Sequence, residues 1–316
     1  RELQKVKAHI ALHQVYGVDL NKTAVELAEI SLWLNTMTGE LKAPWFGLRL
    51  RHGNSLVGAT RSTFTKKDLN TRAYLSTGPL HHPMTSMAEA IAAHERDMAP
   101  AGRVHHFLVP ASGWGAASDA KDLKDIAGDQ LQEMKTWRRG VQKALTKTQQ
   151  NRAADLAIQV ERLWELSLVR LRIAENQVRR DLHLFGQEYS PTSENVLRST
   201  IEEHLFENSG SAYQRLRLVM NLWNALWYWP VTEVESLPTY DEYLDAVASI
   251  IGTPNKSLIK KSEGSFGFDM VWADLDYVED LERVGTEQKD IGEVLNAHPW
   301  VRTAMQLAEE QAFFHW

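Results

Sequence analysis

Cysteine is absent from the 316 residues. That excludes disulfides and thiolate zinc sites, and it is compatible with a reducing cytoplasm, where the protein is expected to reside. Long apolar runs are missing as well. No stretch approaches the roughly 18 residues that a membrane crossing needs, so no membrane partner is expected. The chain has neither an initial Met nor a signal-peptide pattern. It opens in charged, helix-like sequence from Arg1 to Leu12 and ends on the apolar cluster Phe313-Phe314-His315-Trp316. Both ends read as cut from a longer protein. Histidine is plentiful, yet His81-His82 and His105-His106 are adjacent pairs, which point to opposite faces of a strand. No facial-triad spacing occurs, and no metal is expected.

What is present suits a soluble globular protein of two domains, or of one domain with a large insertion. The formal net charge of −6 makes no global case for a nucleic-acid partner. It conceals an asymmetry. Lys135 to Arg180 holds 11 Lys/Arg against 4 Asp/Glu, and Val231 to Trp316 holds 6 against 17. A basic middle and an acidic tail suggest distinct surfaces.

Along the chain, Gln14 to Leu20 reads as a short apolar strand. Asn21 is a good N-cap, and Ala24, Leu27, Ala28, Leu32 and Leu34 mark an apolar helix to about Met37, ended by Gly39. Leu48 to His52 alternates as a second strand. A strand–helix–strand crossover makes the two strands parallel neighbours. Residues 59–103 are loop-rich, and Val104 to Val109 suggests a further strand. Helices are expected over 119–149 (one or two), Asn151–Phe185, Ser211–Trp229 (stopped by Pro230), Tyr240–Ile251, Asp274–Arg283, Asp290–Asn296 and Pro299–Phe313.

In open α/β sheets, ligands sit outside the carboxyl ends of the strands. Asp19 closes the first strand and is placed to accept two hydrogen bonds from ribose hydroxyls. Leu20 can pack on an adenine face, and Gly17 permits close backbone approach. Asn54 ends the second strand with an amide that can accept from an adenine amine and donate to a ring nitrogen. Gly53 and Ser55 shape that turn. The plain alternative is a structural β-α-β unit with Asp19 as a helix-start carboxylate.

The joint pattern Tyr16-Gly-Val-Asp-Leu-Asn21, with Ala24-Val-Glu-Leu-Ala28, Ser31-Leu-Trp-Leu34 and then Gly53-Asn-Ser-Leu-Val-Gly58, resembles a known family. It is similar to the large S-adenosylmethionine-dependent N6-adenine DNA methylases, including restriction–modification enzymes of the Eco57I type and the methylases of the BREX and DISARM phage-defence systems. The likeness is close over residues 15–58. Over the helical remainder, including His105-His106-Phe-Leu-Val-Pro110, it is weaker and nearest to the DISARM type. It implies a cofactor, S-adenosyl-L-methionine. Asp19 matches the ribose-binding acid, Leu20 the apolar residue beside the adenine, and Asn54 the position next to the adenine amine. Two family words are absent: the glycine-rich loop for the methionine half and the Asn-Pro-Pro-aromatic word that holds the target adenine. No catalytic residue is therefore expected in this chain.

The resemblance implies an α/β fragment plus a mainly α part: a partial Rossmann-like methyltransferase sheet with a large helical insertion. Residues 1–58 read as part of the cofactor-binding domain, 59–118 as a connector, and 119–316 as a helical region contacting DNA or partners. The implied partners are double-stranded DNA with a flipped adenine and other defence-system subunits. Lys135, Arg138, Arg139, Lys143, Lys147 and Arg152 recur every three to five residues, which suggests one basic helical face along DNA phosphates. A solvated helix face explains them equally well. Trp223, Trp227, Tyr228 and Trp229 offer a base-stacking platform, although core packing is the better explanation. Pro110-Ala-Ser-Gly-Trp-Gly-Ala116 mimics a glycine loop in the wrong order, and His298-Pro299-Trp300 reads as a helix start. The rival readings are a non-enzymatic helical scaffold and another nucleotide-binding enzyme such as a dehydrogenase, which the Gly53–Gly58 word disfavours.

Overall fold

The computed structural model describes residues 2–37, 45–93, 102–178, 198–254 and 267–315. The expected helix stop at Gly39, the end of the helix at Phe185, and Arg179 and Arg180 lie outside them. The protein is mainly helical with a small α/β part.

The amino-terminal unit is α1 (Glu2–His13), β1 (Gly17–Asp19), α2 (Lys22–Thr36) and β2 (Leu50–His52). Asn21 starts α2 as expected, its side-chain oxygen accepting from Thr23 N at 2.9 Å and Ala24 N at 3.3 Å. The strands pair in parallel, Gly17 with Leu50 and Asp19 with His52. They are shorter than the apolar pattern suggests. Ala11, Leu12, Phe46 and Leu50 make a small core of their own, with Val25, Ala28 and Leu32 packed on it.

From Ala59 onward a second, much larger core begins, and it reaches to Phe313. Within the expected loop-rich connector, residues 59–93 and 102–118 contribute to it. They fold as β3 (Ser62–Phe64), α3 (Lys66–Thr71), β4 (Leu80–His81), α4 (Met84–Ala92) and β5 (Val104–His105). β3 lies between β4 and β5, antiparallel to both. The expected strand stops at His105, because His106–Leu108 winds into a 3₁₀ turn that buries Phe107 and Leu108.

The helical body comprises α5 (Gly128–Val141), α6 (Lys147–Val178), α7 (Arg198–Glu202, running into a π turn over Glu203–Glu207), α8 (Ala212–Ala225), α9 (Tyr240–Ile251), α10 (Trp272–Gly285), α11 (Ile291–Ala297) and α12 (Trp300–Glu310). α6 spans about 48 Å at 1.5 Å per residue and is the spine of the molecule. Its inner face buries Leu156, Val160, Leu163 and Val169 against α8 and α9. Thr239 and Glu242 form a capping box that starts α9, whose buried face is Tyr240, Tyr243, Leu244, Val247 and Ile251.

The charge asymmetry is internal. Arg152 of α6 pairs with Asp245 of α9. Arg162 pairs with Glu165 at 2.9 Å and with Glu282 of α10 at 2.5 Å. Arg170 meets Asp276 at 2.8 Å and Glu279 at 2.7 Å. Arg152, Arg162 and Arg170 of the basic middle thus dock on the acidic tail, so the two are not wholly separate surfaces. Among the described residues no helix is long and apolar enough to cross a membrane.

Candidate functional site

Asp19 is the last residue of β1 and is exposed. Its Oδ1 accepts from Asn21 N at 2.7 Å, which fixes the carboxylate at the helix start. Its carbonyl accepts from Gly53 N at 2.9 Å, just beyond β2. Asn54 is the next residue. The parallel register therefore brings the acid and the amide to the same, carboxyl end of the strand pair. Leu20 stands 60 % exposed beside them; its carbonyl lies 3.0 Å from His52 Nε2, which ties the two strand ends together. Asn54 Oδ1 accepts from Leu56 N at 3.1 Å, closing a small turn. Asp19 Oδ2 and Asn54 Nδ2 have no partner among the described residues. Gly17 serves the strand contact, since a Cβ there would come within 3.0 Å of Leu50 Cδ2.

The carboxyl end of the chain completes this corner, which sequence reasoning missed. Asn54 bridges Phe313 in parallel, and Asn54 N donates to Ala312 O at 2.6 Å. Phe314 N donates to Val57 O at 3.0 Å. A Cβ on Gly53 would meet Phe314 Cβ at 2.8 Å, and one on Gly58 would collide with the Phe314 carbonyl. The two glycines of the Gly53–Gly58 word thus receive Phe314. Ala59 N donates to His315 Nδ1 at 3.0 Å, so the ring's proton sits on Nε2, which donates to Asn221 Oδ1 of α8 at 2.8 Å. Burial, with Arg217 and His106 nearby, lowers the His315 pKa to about 3. Burial likewise lowers His106 to about 4; its Nε2 lies 3.1 Å from Thr60 O. The only sequence signal for this docking was the apolar character of the last four residues.

A cavity of about 520 Å³ opens at the other ends of the strands, lined by Tyr16, Leu48, Arg49, Leu171 and Glu175. It is not where a nucleotide would enter an open parallel sheet.

The expected basic face divides. Lys135, Arg138 and Arg139 lie on α5, Lys143 in the connector, and Lys147 and Arg152 on α6. This corrects the single helical face, because the chain breaks between Val141 and Lys147. Arg138 is spent on Asp119 at 2.7 Å and the Ser112 carbonyl at 2.8 Å, and Arg152 on Asp245. Lys135, Arg139, Lys143 and Lys147 have no acidic partner among the described residues. The aromatic group is packed rather than presented. Trp229 is fully buried, Trp223 Nε1 donates to Val109 O at 2.9 Å, and Trp227 lies against Gly113. Tyr228, partly exposed, sits 5.6 Å from Phe313.

The Gly113-Trp114-Gly115 turn is interior as well. Trp114 is fully buried and donates to Trp223 O at 3.0 Å, and Gly115, at φ +68°, donates to Leu226 O at 2.8 Å. No ligand could approach it. Pro299 precedes the first residue of α12, and Trp300 packs on Trp229 and Tyr243.

His105 and His106 face apart, the first 2.8 Å from Glu161 Oε1 and the second edge-on to Trp223. Burial raises the Glu161 carboxyl, but His105 and Arg61 outweigh it and hold it at about 2. His9 and His13, a His-x-x-x-His pair that the sequence reading overlooks, stand 4.6 Å apart on α1. No group of three or more His, Asp or Glu among the described residues could hold a metal.

Compared with known proteins, the sequence matches no family model, no curated protein and no solved structure.

Proposed function

We propose that this chain is a segment of an S-adenosylmethionine-dependent adenine-N6 DNA methyltransferase of a restriction–modification or phage-defence system. Residues 1–58 are then part of its Rossmann-like cofactor-binding domain. One observation carries the reading: parallel pairing of β1 with β2 puts Asp19 and Asn54 at the same, carboxyl end of the strands, each with one polar atom that has no partner among the described residues. The residues fit the nucleoside half of the cofactor. Asp19 Oδ2 would hold the ribose hydroxyls, Leu20 would lie on the adenine face, and Asn54 Nδ2 would donate to a ring nitrogen. When bound, the cofactor supplies an activated methyl group. Among the described residues nothing offers a glycine turn for its methionine half.

The open edge of β1 supports the same reading. β1 has one neighbour among the described residues, so the Val18 backbone groups face away from it. A further strand there would continue the sheet. DNA is the proposed partner. The residues proposed to meet its phosphates are Arg139, Lys143 and Lys147.

The test is titration with S-adenosylhomocysteine. Asp19→Ala should abolish or weaken binding about tenfold or more, since a charge-assisted pair is worth about 1.5–3 kcal/mol. Unchanged affinity would favour a second reading, a scaffold module with a structural β-α-β unit. That reading has its own support, because Gly53 and Gly58 are explained by Phe314 alone.

A further inference from the structure

Five arginines of the described residues are buried: Arg49, Arg61, Arg162, Arg170 and Arg215. The first four each face at least one carboxylate, from Glu175, Glu161, Glu165 with Glu282, and Asp276 with Glu279. Arg215 of α8 does not. Its Nε donates to Gly210 O at 3.1 Å, and its Nη1 donates to Ile250 O at 2.7 Å and Lys289 O at 2.9 Å. These carbonyls fix the guanidinium without neutralising it. Nη2 has no protein partner among the described residues. A guanidinium stays charged at any ordinary pH, and a buried charge normally requires a counter-charge.

Arg215 lines a cavity of about 380 Å³, the share of roughly a dozen waters in the liquid. Lys289 and Arg283 line it too, as does Asp290. Asp290 is taken up by Arg283 at 3.5 Å, and Arg283 also holds Asp280 at 3.1 Å. Lys289 is exposed and uses only its backbone in the contacts described. Arg215 and Lys289, neither within ion-pair distance of a carboxylate among the described residues, therefore line one cavity. Burial and then Arg283 lower the Arg215 pKa, against Asp290 and Glu279, which raise it from beyond ion-pair distance. A second cavity of about 400 Å³ shares Ser209, Leu218 and Ile291 with the first and adds Arg217 and Asn221. Glu207 and Glu309 line the second cavity as well.

We propose that the cavity between α8, α10 and the Lys289–Ile291 turn is a phosphate-binding site, with Arg215 Nη2 and Lys289 Nζ as its donors. A planar guanidinium already held by carbonyls loses little freedom when it binds a phosphoryl oxygen. The inference stands independently of the methyltransferase reading. The ligand carries a phosphoryl group, from either a nucleic-acid backbone or a small phosphorylated molecule.

The test uses the full chain and inorganic phosphate, followed by ³¹P line broadening and by thermal shift against sodium chloride of equal ionic strength. The chloride control removes general salt stabilisation. Saturable binding is expected, with Lys289→Glu weaker by about tenfold or more and Arg215→Met without binding. Lys124→Ala, at an exposed residue that lines neither cavity, should bind as the unsubstituted protein does. If Arg215→Met fails to fold, Lys289→Glu carries the test, since its side chain makes no described contact. A single-stranded oligonucleotide that binds more tightly and shows the same Lys289→Glu loss identifies the backbone as the source. Binding of inorganic phosphate alone identifies a small ligand. Phosphate and chloride giving identical shifts, or Lys289→Glu binding unchanged, would overturn the site.

Discussion

Gly58 has no room for a side chain, because the Phe314 carbonyl occupies the position of its Cβ. Gly58→Ala should therefore push the last residues off the Asn54 loop and destabilise the protein by about 1–3 kcal/mol. Hydrogen exchange of the Asn54 amide, bonded to Ala312 O, would rise sharply; unchanged protection would count against the docking. His106 and His315 make a second residue-scale prediction. Both are held neutral, at about 4 and about 3, whereas an unfolded histidine titrates near 6.5. Between these values the unfolded chain binds more protons, so stability rises with pH. It is fully present above about pH 6.5 and falls below it, by up to about 1.4 kcal/mol per pH unit for each group. Thermal unfolding from pH 8 to pH 5 should show this fall, and His106→Gln should flatten it. An equal slope in the variant would contradict the assignment.

Helix α6 carries two kinds of ion pair, and they should behave differently. Arg162→Met leaves Glu165 and Glu282 buried without their cation, and urea unfolding should show a loss of about 3–5 kcal/mol. Arg152→Ala removes a half-exposed pair with Asp245 and should lose less than about 1 kcal/mol. Equal losses would mean that burial does not govern these pairs. Which helices exist was legible in the residues. Asn21, the Thr239–Glu242 spacing and Pro230 mark starts and stops by local chemistry, and the apolar spacing of Leu156, Val160 and Leu163 shows the buried side of α6. Which helix meets which was not legible. Arg162 and Glu282 are 120 residues apart, and no local pattern states that the basic run will be neutralised by the acidic one. The same holds at the candidate site. Asp19 and Asn54 were legible because a parallel crossover brings them together, while the contact from His315 to Ala59 closes across 256 residues. Val104 to Val109 looked like one strand because its apolar run fits a strand and a buried turn equally well.

The whole molecule is unevenly built. The helical body shares one continuous core, whereas the amino-terminal unit rests on a few buried residues. Its helices show apolar rows to solvent: Leu3 is 69 % exposed on α1, and Leu27, Ile30 and Leu34 are 58 %, 50 % and 58 % exposed on α2. Exposed apolar rows of this kind are where partner surfaces commonly form, as the proposed methyltransferase reading requires of this unit. Amides of α2 should exchange far faster than those of α8, because local stability follows local burial; equal protection would contradict this. The basic residues around the α5–α6 connection make the complementary prediction. Arg139→Ala with Lys143→Ala and Lys147→Ala should weaken DNA binding and reduce the slope of log affinity against log salt by about 2–3. An unchanged slope would remove DNA from that surface. The corner formed by Asp19, Leu20 and Asn54 is the proposed nucleoside site, and saturation-transfer NMR with adenosine probes it most directly. Transfer to both ribose and adenine protons is expected, with the ribose signals lost in Asp19→Ala and the adenine signals reduced in Asn54→Ala. Absence of transfer, or the same transfer in both variants, would contradict a nucleoside site at this end of the strands.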